Sequence, residues 1–289
     1  MKISVSSYSF FSAIKNGDIT PFDCISKAKA LGFDAIEFVD FINFDPNDRA
    51  NWKQTAKTLK AECDRVGIEI SSLTVGADLL QRPDEDTEKL KEFLDVAEIL
   101  GVKYMRHDAT VGYPRDSDKY TSFDSVVDEL ASRFRVITEL AEQKGIRTMT
   151  ENHGYFSQDS DRVEKLYSKI NHKNFGLLCD IGNFMCADED PALAVARVAP
   201  YAIYVHCKDF ILKPYYSEDP GEGSFKTRAG NYLIGTIIGH GNVPVKQCLS
   251  ILKSCGYDGY IAVEFEGMEN SFDGVRIGAD NIRKYWSQI

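Results

Sequence analysis

The sequence predicts a single α/β domain over residues 1–289, folded as a (β/α)8 TIM barrel with parallel strands. Strand-like and amphipathic helix-like segments alternate eight times along the chain, which is typical of parallel α/β folds. The length of 289 residues also suits a barrel, which needs about 250. An open, doubly wound sheet is the main alternative. Its dinucleotide-binding form is disfavoured because no G-x-G-x-x-G follows the first strand.

The predicted strands are short runs rich in apolar and β-branched residues. They lie at Ile3–Ser7, Ala35–Val39, Glu69–Val75, Tyr104–His107, Arg147–Asn152, Gly176–Asp180, Ala202–Cys207 and Tyr260–Phe265. The predicted helices lie at Pro21–Leu31, Arg49–Val66, Asp84–Leu100, Phe123–Lys144, Ser160–Ile170, Pro191–Val198, Val245–Cys255 and Gly274–Trp286. Five helices are followed by a glycine just before the next strand, which predicts the left-handed cap that lets the chain reverse.

In four of the later strand-like segments, the apolar run ends on a side chain that binds metal ions: Glu151, Asp180, His206 and Glu264. Because the carboxyl ends of barrel strands meet at one face, these side chains should converge. One imidazole and three carboxylates suit Mn²⁺ or Mg²⁺ better than a structural zinc. We therefore predict one divalent cation per chain, with Mn²⁺ ranked before Mg²⁺, Co²⁺ and Zn²⁺.

The composition of the chain indicates which kinds of partner and which cellular compartment to expect. With 34 basic and 44 acidic residues, the net charge of −10 disfavours nucleic acid. No apolar run approaches the roughly 18 residues of a membrane span, and serines interrupt the apolar N-terminus too often for a secretory segment. Seven cysteines form no C-x-x-C pair, and Cys179 and Cys207 should point away from the neighbouring Asp180 and His206. These features predict a cytoplasmic protein without a membrane partner.

An unusually long segment follows the seventh strand. From His206 to Glu264 the chain runs 58 residues, whereas from Glu151 to Asp180 it runs 29. The surplus, 210–242, is polar, aromatic and rich in glycine. We predict a long loop on the catalytic face that acts as a lid or specificity element, with a floppy surface insertion as the alternative.

Several motifs resemble, in order, those of the xylose isomerase-like TIM-barrel superfamily. The resemblance is greatest to its sugar phosphate isomerase/epimerase group, which includes ketose 3-epimerases and inosose dehydratases. The motifs cover nearly the whole predicted barrel. They are Ala35-Ile-Glu37-Phe, Glu151-Asn-His153-Gly, Cys179-Asp180-Ile-Gly-Asn183, Val205-His206-Cys-Lys208-Asp209, Gly239-His-Gly-Asn-Val-Pro and Gly256-Tyr-Asp-Gly-Tyr-Ile-Ala-Val-Glu264-Phe-Glu266-Gly.

The resemblance implies that Glu151, Asp180, His206 and Glu264 hold a single cation, and that Glu151 and Glu264 are the catalytic acid/base pair. It implies a small carbohydrate substrate and an isomerase or epimerase that transfers a proton through a metal-stabilised enediolate. A chelated cation acidifies the carbon between two substrate oxygens, and a carboxylate on each face can remove and return the proton. A homo-oligomer is expected by analogy alone.

Two departures from ketose 3-epimerases leave the substrate open. Ser157 stands where those enzymes have a further glutamate, and Asn183 stands where they have a histidine. A metal-dependent lyase or dehydratase acting on a keto-sugar or inosose is therefore the nearest alternative. A non-catalytic sugar-binding barrel ranks lower, as does a three-zinc endonuclease, which needs more histidines than the five present.

Further side chains near these motifs are predicted to contact the substrate. Strand alternation places two of them on the same side as the neighbouring metal ligands, and the others end strands or lie in the long loop. Glu266 is an alternative metal ligand. The predicted substrate contacts are His153, Asn183, Lys208, His107, Glu37 and Arg228.

Overall fold

Eight parallel strands form a closed barrel in the computed structural model, which describes residues 1–289. The barrel strands are β1 (Lys2–Ser6), β2 (Ala35–Val39), β3 (Glu69–Val75), β4 (Tyr104–His107), β5 (Arg147–Glu151), β6 (Phe175–Asp180), β7 (Ala202–Cys207) and β11 (Tyr260–Val263). Consecutive barrel strands pair in parallel, and β11 closes the barrel on β1 with Val263 opposite Val5. The predicted (β/α)8 barrel is confirmed.

Helices surround the barrel and connect its strands. They are α1 (Phe11–Lys15), α2 (Cys24–Ala30), α3 (Asp40–Asn43), α4 (Trp52–Val66), α5 (Pro83–Leu100), α6 (Phe123–Gln143), α7 (Ser160–Ile170), α8 (Pro191–Val198), α9 (Val245–Ser254) and α10 (Ser271–Ser287). As predicted, α4 and α5 end at glycines of positive φ, Gly67 and Gly101. The short α1 and α3, which follow β1 and β2, were not predicted. None of the helices has the length and apolar character needed to cross a lipid bilayer.

Strand alternation divides the core into two layers. Met149, Leu178, Tyr204 and Ala262 form a small cluster inside the barrel. Cys179 and Cys207 instead belong to the large cluster that includes the inner faces of the helices, as the sequence predicted. Glu151, Asp180 and His206, each two residues beyond a member of the small cluster, therefore lie above a packed interior, which leaves little room for their polar groups to move.

The segment after β7 was predicted as a long loop, but part of it forms strands. It contains a three-stranded antiparallel sheet in the order β8–β10–β9, made of β8 (Asp209–Lys213), β9 (Ser224–Lys226) and β10 (Tyr232–Thr236). Its glycines and prolines suggested a loop, whereas its short apolar runs pair across the turns. The Asp188 carboxylate accepts hydrogen bonds from Thr227 and Asn231 and ties this sheet to the segment after β6. The insertion is thus an ordered segment held to the barrel by hydrogen bonds.

Asp209 anchors the insertion, and its replacement by alanine should destabilise the protein. Its buried carboxylate accepts hydrogen bonds of 2.8–3.0 Å from the backbone N–H groups of Phe210, Gly239, Gly241 and Val243. Asp209→Ala leaves these donors unpaired, so we expect the free energy of unfolding to fall by roughly 3 kcal/mol or more. Urea denaturation measures this loss. The exposed Glu218→Ala in the same insertion is the control, and an equal effect of both substitutions would contradict the assignment.

Candidate metal centre and its cleft

Four side chains from neighbouring strands meet at the carboxyl end of the barrel. They are Glu151, Asp180, His206 and Glu264, all buried, and one ligand atom from each lies within 4.8 Å of the others. Asp180 and His206 are directly opposite each other in β6 and β7. Glu264 follows the last residue of β11, and its backbone N–H bonds to Cys207. The structure thus brings together all four residues that the sequence singled out.

The Asp180 carboxylate has one oxygen engaged and one without a hydrogen-bond partner. Oδ1 accepts hydrogen bonds of 2.8 Å from the backbone N–H groups of Gly182 and Asn183. Oδ2 is buried and makes no hydrogen bond. Glycine is required at 182, because a Cβ there would lie 2.5 Å from Cγ of Lys208. Burial, with the nearby carboxylates, raises the pKa of Asp180 to about 7.

Glu37 orients His206 and does not contact the cleft. The Glu37 carboxylate is fully buried and lies 3.0 and 3.2 Å from Nε2 of His206. The predicted substrate contact for Glu37 is therefore wrong, since β2 directs this carboxylate across the barrel interior to β7. A proton on Nε2 bonded to Glu37 leaves the Nδ1 lone pair free for a ligand.

Nδ1 of His206 faces the three carboxylates. It lies 3.4 Å from Oε2 of Glu264, 3.7 Å from Oε1 of Glu151 and 3.9 Å from Oδ2 of Asp180, and it makes no hydrogen bond. Nδ1 of His206 and Oδ2 of Asp180 are thus two buried polar atoms without a hydrogen bond that face each other within a group of carboxylates, an arrangement that a bound cation would stabilise. The three oxygens and one nitrogen of this donor set fit a divalent cation.

Glu151 is held on both of its oxygens. Oε2 lies 2.7 Å from Nη2 of Arg106, and Oε1 accepts a 2.8 Å hydrogen bond from Nδ2 of Asn183. Although burial opposes ionisation, the Arg106 guanidinium lowers the pKa of Glu151 to about 2. Asn183 is itself buried and does not line the cleft. The structure therefore uses its amide to fix Glu151, and the predicted substrate contact stays a prediction.

At the end of β4, Arg106 takes the place that we predicted for His107. The ring of His107 stacks on Phe134 of α6 with 4.4 Å between centroids, on the outside of the barrel. Burial there lowers the pKa of His107 to about 4. The predicted substrate contact for His107 is therefore wrong. Successive side chains of a strand point to opposite faces, so Arg106 points into the barrel and His107 points outward.

Asp108 links two side chains of the cleft and was not selected from the sequence. It accepts hydrogen bonds from Arg106 at 2.7 and 3.2 Å. Its Oδ1 lies 2.9 Å from Nδ1 of His153, which lines the cleft as predicted. Burial opposes the charge on His153, but the Asp108 carboxylate outweighs it and raises the pKa of the imidazole.

Lys208 lies inside the cleft, as predicted. Its Nζ is 2.5 Å from Oε2 of Glu264, 3.3 Å from Oδ2 of Asp180 and 3.3 Å from Oε1 of Glu266. Burial opposes the charge, yet these carboxylates raise the pKa of Lys208 well above its usual value. Glu266, the alternative ligand, lines the cleft but does not belong to the four-residue cluster.

The cleft above the cluster has a volume of about 240 Å³ and two unlike walls. Glu151, Glu264 and Lys208 are on the polar side, while Tyr8 and Phe41 supply aromatic surface that the sequence did not predict. A larger cavity of about 560 Å³ lies beside the amino ends of β1 and β3. We assign no chemistry to it, because catalytic residues of such barrels lie at the carboxyl ends.

Arg228, a predicted substrate contact, is not among the residues that line the cleft. Its guanidinium lies 2.8 Å from the carboxylate of Asp159 and donates to the carbonyl of Tyr155. Arg228 therefore joins the insertion to the segment after β5.

Substitution of Glu37 by glutamine should weaken metal binding without disrupting the barrel. The amide is a weaker acceptor for Nε2–H of His206 and can also donate, so the imidazole loses its fixed orientation. Loss of such an outer partner typically lowers metal affinity 10- to 100-fold. Competition with a chromogenic chelator measures the Mn²⁺ affinity. Glu69→Gln, at the amino end of β3, is the control, and equal affinities of Glu37→Gln and the unaltered protein would contradict the assignment.

Metal affinity should rise with pH. Without a metal, burial opposes a charge on His206, but Glu37 and the other carboxylates raise its pKa well above the usual value. The pKa of Asp180 is raised to about 7. Cation binding must displace these protons, so we expect affinity to increase by roughly tenfold or more per pH unit between pH 6 and 7. Calorimetric titration at several pH values tests this, and an affinity independent of pH would contradict it.

Comparison with known proteins agrees with this geometry. Residues 25–285 match the family described as xylose isomerase-like TIM barrel. The chain belongs to the xylose isomerase-like TIM-barrel family. This family membership confirms the resemblance seen in the sequence motifs.

Relatives and structural neighbours of this xylose isomerase-like barrel include a dehydratase, an epimerase and a zinc-binding protein. An inosose dehydratase of Clostridium perfringens is 26% identical over 254 residues, covering 84% of this chain and 81% of that protein. The IOLI protein, solved with a zinc atom, superposes with a TM-score of 0.76 at 15% identity, covering 100% of this chain and 99% of that one. An L-ribulose 3-epimerase superposes with a TM-score of 0.71 at 13% identity, covering 99% and 95%.

Proposed function

We propose that this protein is a metal-dependent lyase that removes water from a keto-polyol of the inosose class. The observation that carries the proposal is the buried Glu151–Asp180–His206–Glu264 cluster, which opens into a cleft where a lysine contacts one of the glutamates. The similarity to inosose dehydratases supports the reaction and the substrate class. When bound, the divalent cation acidifies the carbon next to a chelated carbonyl.

The two glutamates are held differently, and this favours a single base. Arg106 and Asn183 bind the two oxygens of Glu151, which suits a metal ligand and leaves neither oxygen free to accept a proton. Glu264 has Lys208 as its neighbour, at 2.5 Å. In our proposal, Glu264 removes the proton next to the carbonyl, and the Lys208 ammonium protonates the departing hydroxyl group.

In this reaction every bond that breaks is matched by a bond that forms, and every proton has an acceptor. The C–H electrons form the new C=C bond as the β C–O bond breaks, and the hydroxyl leaves as water with the proton from Lys208. The proton on Glu264 then passes to Lys208 across their 2.5 Å contact. Both side chains return to their starting states without an oxidant or reductant.

An epimerase or isomerase acting on a sugar is the second candidate. Glu151 and Glu264 both line the cleft and come from strands separated by β6 and β7 in the barrel. Carboxylates on opposite sides of a carbon could remove a proton from one face and return it to the other. This is the two-glutamate mechanism predicted from the sequence resemblance.

Incubation of the Mn²⁺-loaded protein with an inosose and with free ketoses in heavy water distinguishes the two reactions. A lyase should release one water from the inosose and give a conjugated product that absorbs in the ultraviolet. An epimerase should incorporate deuterium at one carbon and invert it without losing water. Neither change with any keto-polyol tested, despite bound metal, would contradict both proposals and favour a binding protein.

A further inference from the structure

Three aromatic side chains lie together beside the cleft, and the proposed chemistry does not use them. Two of them are exposed and the third, Tyr8, is half-buried. We call Tyr8, Phe11 and Phe41 the aromatic rim. The exposed fraction is 42% for Phe11 and 57% for Phe41. The ring of Tyr8 stacks on Phe11 at 6.1 Å and meets Phe41 edge-on at 6.0 Å. Exposed apolar side chains that are grouped beside a cleft are a common feature of ligand contact sites.

The aromatic rim is continuous with the candidate active site. Tyr8 and Phe41 line the same cleft as Glu264 and Lys208. Both belong to segments that follow barrel strands, Tyr8 after β1 and Phe41 in α3 after β2. A ligand bound at the metal cluster therefore lies next to the rim.

The backbone beneath the rim is fixed before any ligand binds. Oδ1 of Asn43 accepts hydrogen bonds from Oγ of Ser7 at 2.7 Å and from the N–H of Val39 at 3.1 Å, which joins the two segments. Asp40 accepts a 2.8 Å hydrogen bond from the N–H of Phe41 and lies 2.7 Å from Nζ of Lys89. Rigid support of this kind lowers the entropy cost of binding.

The position of the rim indicates which part of a substrate would cover it. A polyhydroxylated ring that reaches the cluster lies among buried polar groups, since Glu151 is only 4% exposed and Asp180 is 0% exposed. The rim lies farther out, where a group attached to that ring and directed toward solvent would pass. Aromatic faces bind planar apolar groups by stacking.

We propose that the aromatic rim is a second subsite, which binds a planar apolar group carried by the polyhydroxylated substrate. An aryl substituent is the simplest such group. The inference rests on the proposed function for the position of the reacting ring, and it extends the substrate class from bare keto-polyols to aryl-substituted ones. Phe41 and Phe11 then determine specificity without taking part in proton transfer.

The affinities of two unreactive ligands, measured by isothermal titration calorimetry, test this subsite. Phenyl β-D-glucoside and methyl β-D-glucoside differ only in the group that would reach the rim. We expect the Mn²⁺-loaded protein to bind the phenyl compound about tenfold more tightly. Phe41→Ala and Phe11→Ala should each remove most of that preference. Leu193→Ala on α8, which replaces another exposed apolar side chain, should leave it unchanged.

Equal affinity for the two probes, no binding of either, or an unchanged preference in Phe41→Ala would each overturn the subsite. The same variants should be examined by light scattering, because a wild-type oligomer that dissociates on Phe41→Ala would identify the rim as an interface between copies. The probes need no turnover. A protein that prefers the phenyl compound but transforms no keto-polyol would therefore contradict the proposed reaction while supporting the subsite.

Discussion

Replacing Asp180 by alanine should remove the bound divalent ion and reduce turnover by roughly 10³-fold or more. Asp180 is fully buried, and its Oδ2 has no hydrogen-bond partner in the protein. Loss of this carboxylate leaves three donors around a site that lies deep in the barrel. A metal ion at such a centre is typically worth several kcal/mol of transition-state stabilisation, which corresponds to a factor of about 10³.

Plasma mass spectrometry of purified protein measures the metal directly. We expect about one divalent ion per chain in the unaltered protein and almost none in Asp180→Ala. Asp116→Ala, which removes an exposed carboxylate from the segment after β4, should retain the metal. Equal metal content in Asp180→Ala and the unaltered protein would show that the cluster is not the binding site. About three zinc ions per chain would revive the endonuclease alternative.

Glutamine at position 264 should abolish proton transfer while leaving the barrel folded. Although Glu264 is buried, its carboxylate stays ionised because the Lys208 ammonium and His206 hold its pKa well below the usual value. Glutamine keeps an oxygen for the metal but cannot accept the proton. Removal of a general base typically costs 10²- to 10⁴-fold in rate. Loss of exchange between the substrate C–H and heavy water, with unchanged circular dichroism, would identify this step.

Two further variants test the specificity of that result. Glu266→Gln removes a carboxylate of the same cleft that lies outside the cluster, so it should retain the metal and a larger part of the activity. Glu151→Gln should also abolish turnover, through loss of the ligand held by Arg106. Normal turnover in either Glu264→Gln or Glu151→Gln would refute the roles assigned to the two glutamates.

Local periodicity explains why much of the fold could be predicted. Strand-like runs of period two and amphipathic helices are properties of short segments, so eight alternating units were visible in the sequence. The segment after β7 was predicted as a loop because it contains many glycine and proline residues. Its short apolar runs, which form β8 and β10, were not recognised as strands. Antiparallel pairing of such runs depends on turns that bring them together, and periodicity alone does not identify those turns.

The four candidate metal ligands could also be predicted from the sequence, whereas the side chains that hydrogen-bond to them could not. Glu151, Asp180, His206 and Glu264 each follow or end an apolar strand, and barrel closure necessarily brings such positions to one face. The bond between Glu37 and His206 joins residues 169 positions apart. Its existence depends on how the strands are staggered around the closed barrel.

The sequence by itself determined the barrel, the four candidate ligands and the cleft positions of His153 and Lys208, because these follow from strand ends and the period of two. Only the tertiary structure decided that Arg106 points inward in place of His107, that Asn183 and Glu37 support ligands, and that Tyr8 and Phe41 form an apolar wall. These contacts join distant segments. Their geometry is set by barrel closure and by the loops above it, which no local pattern specifies.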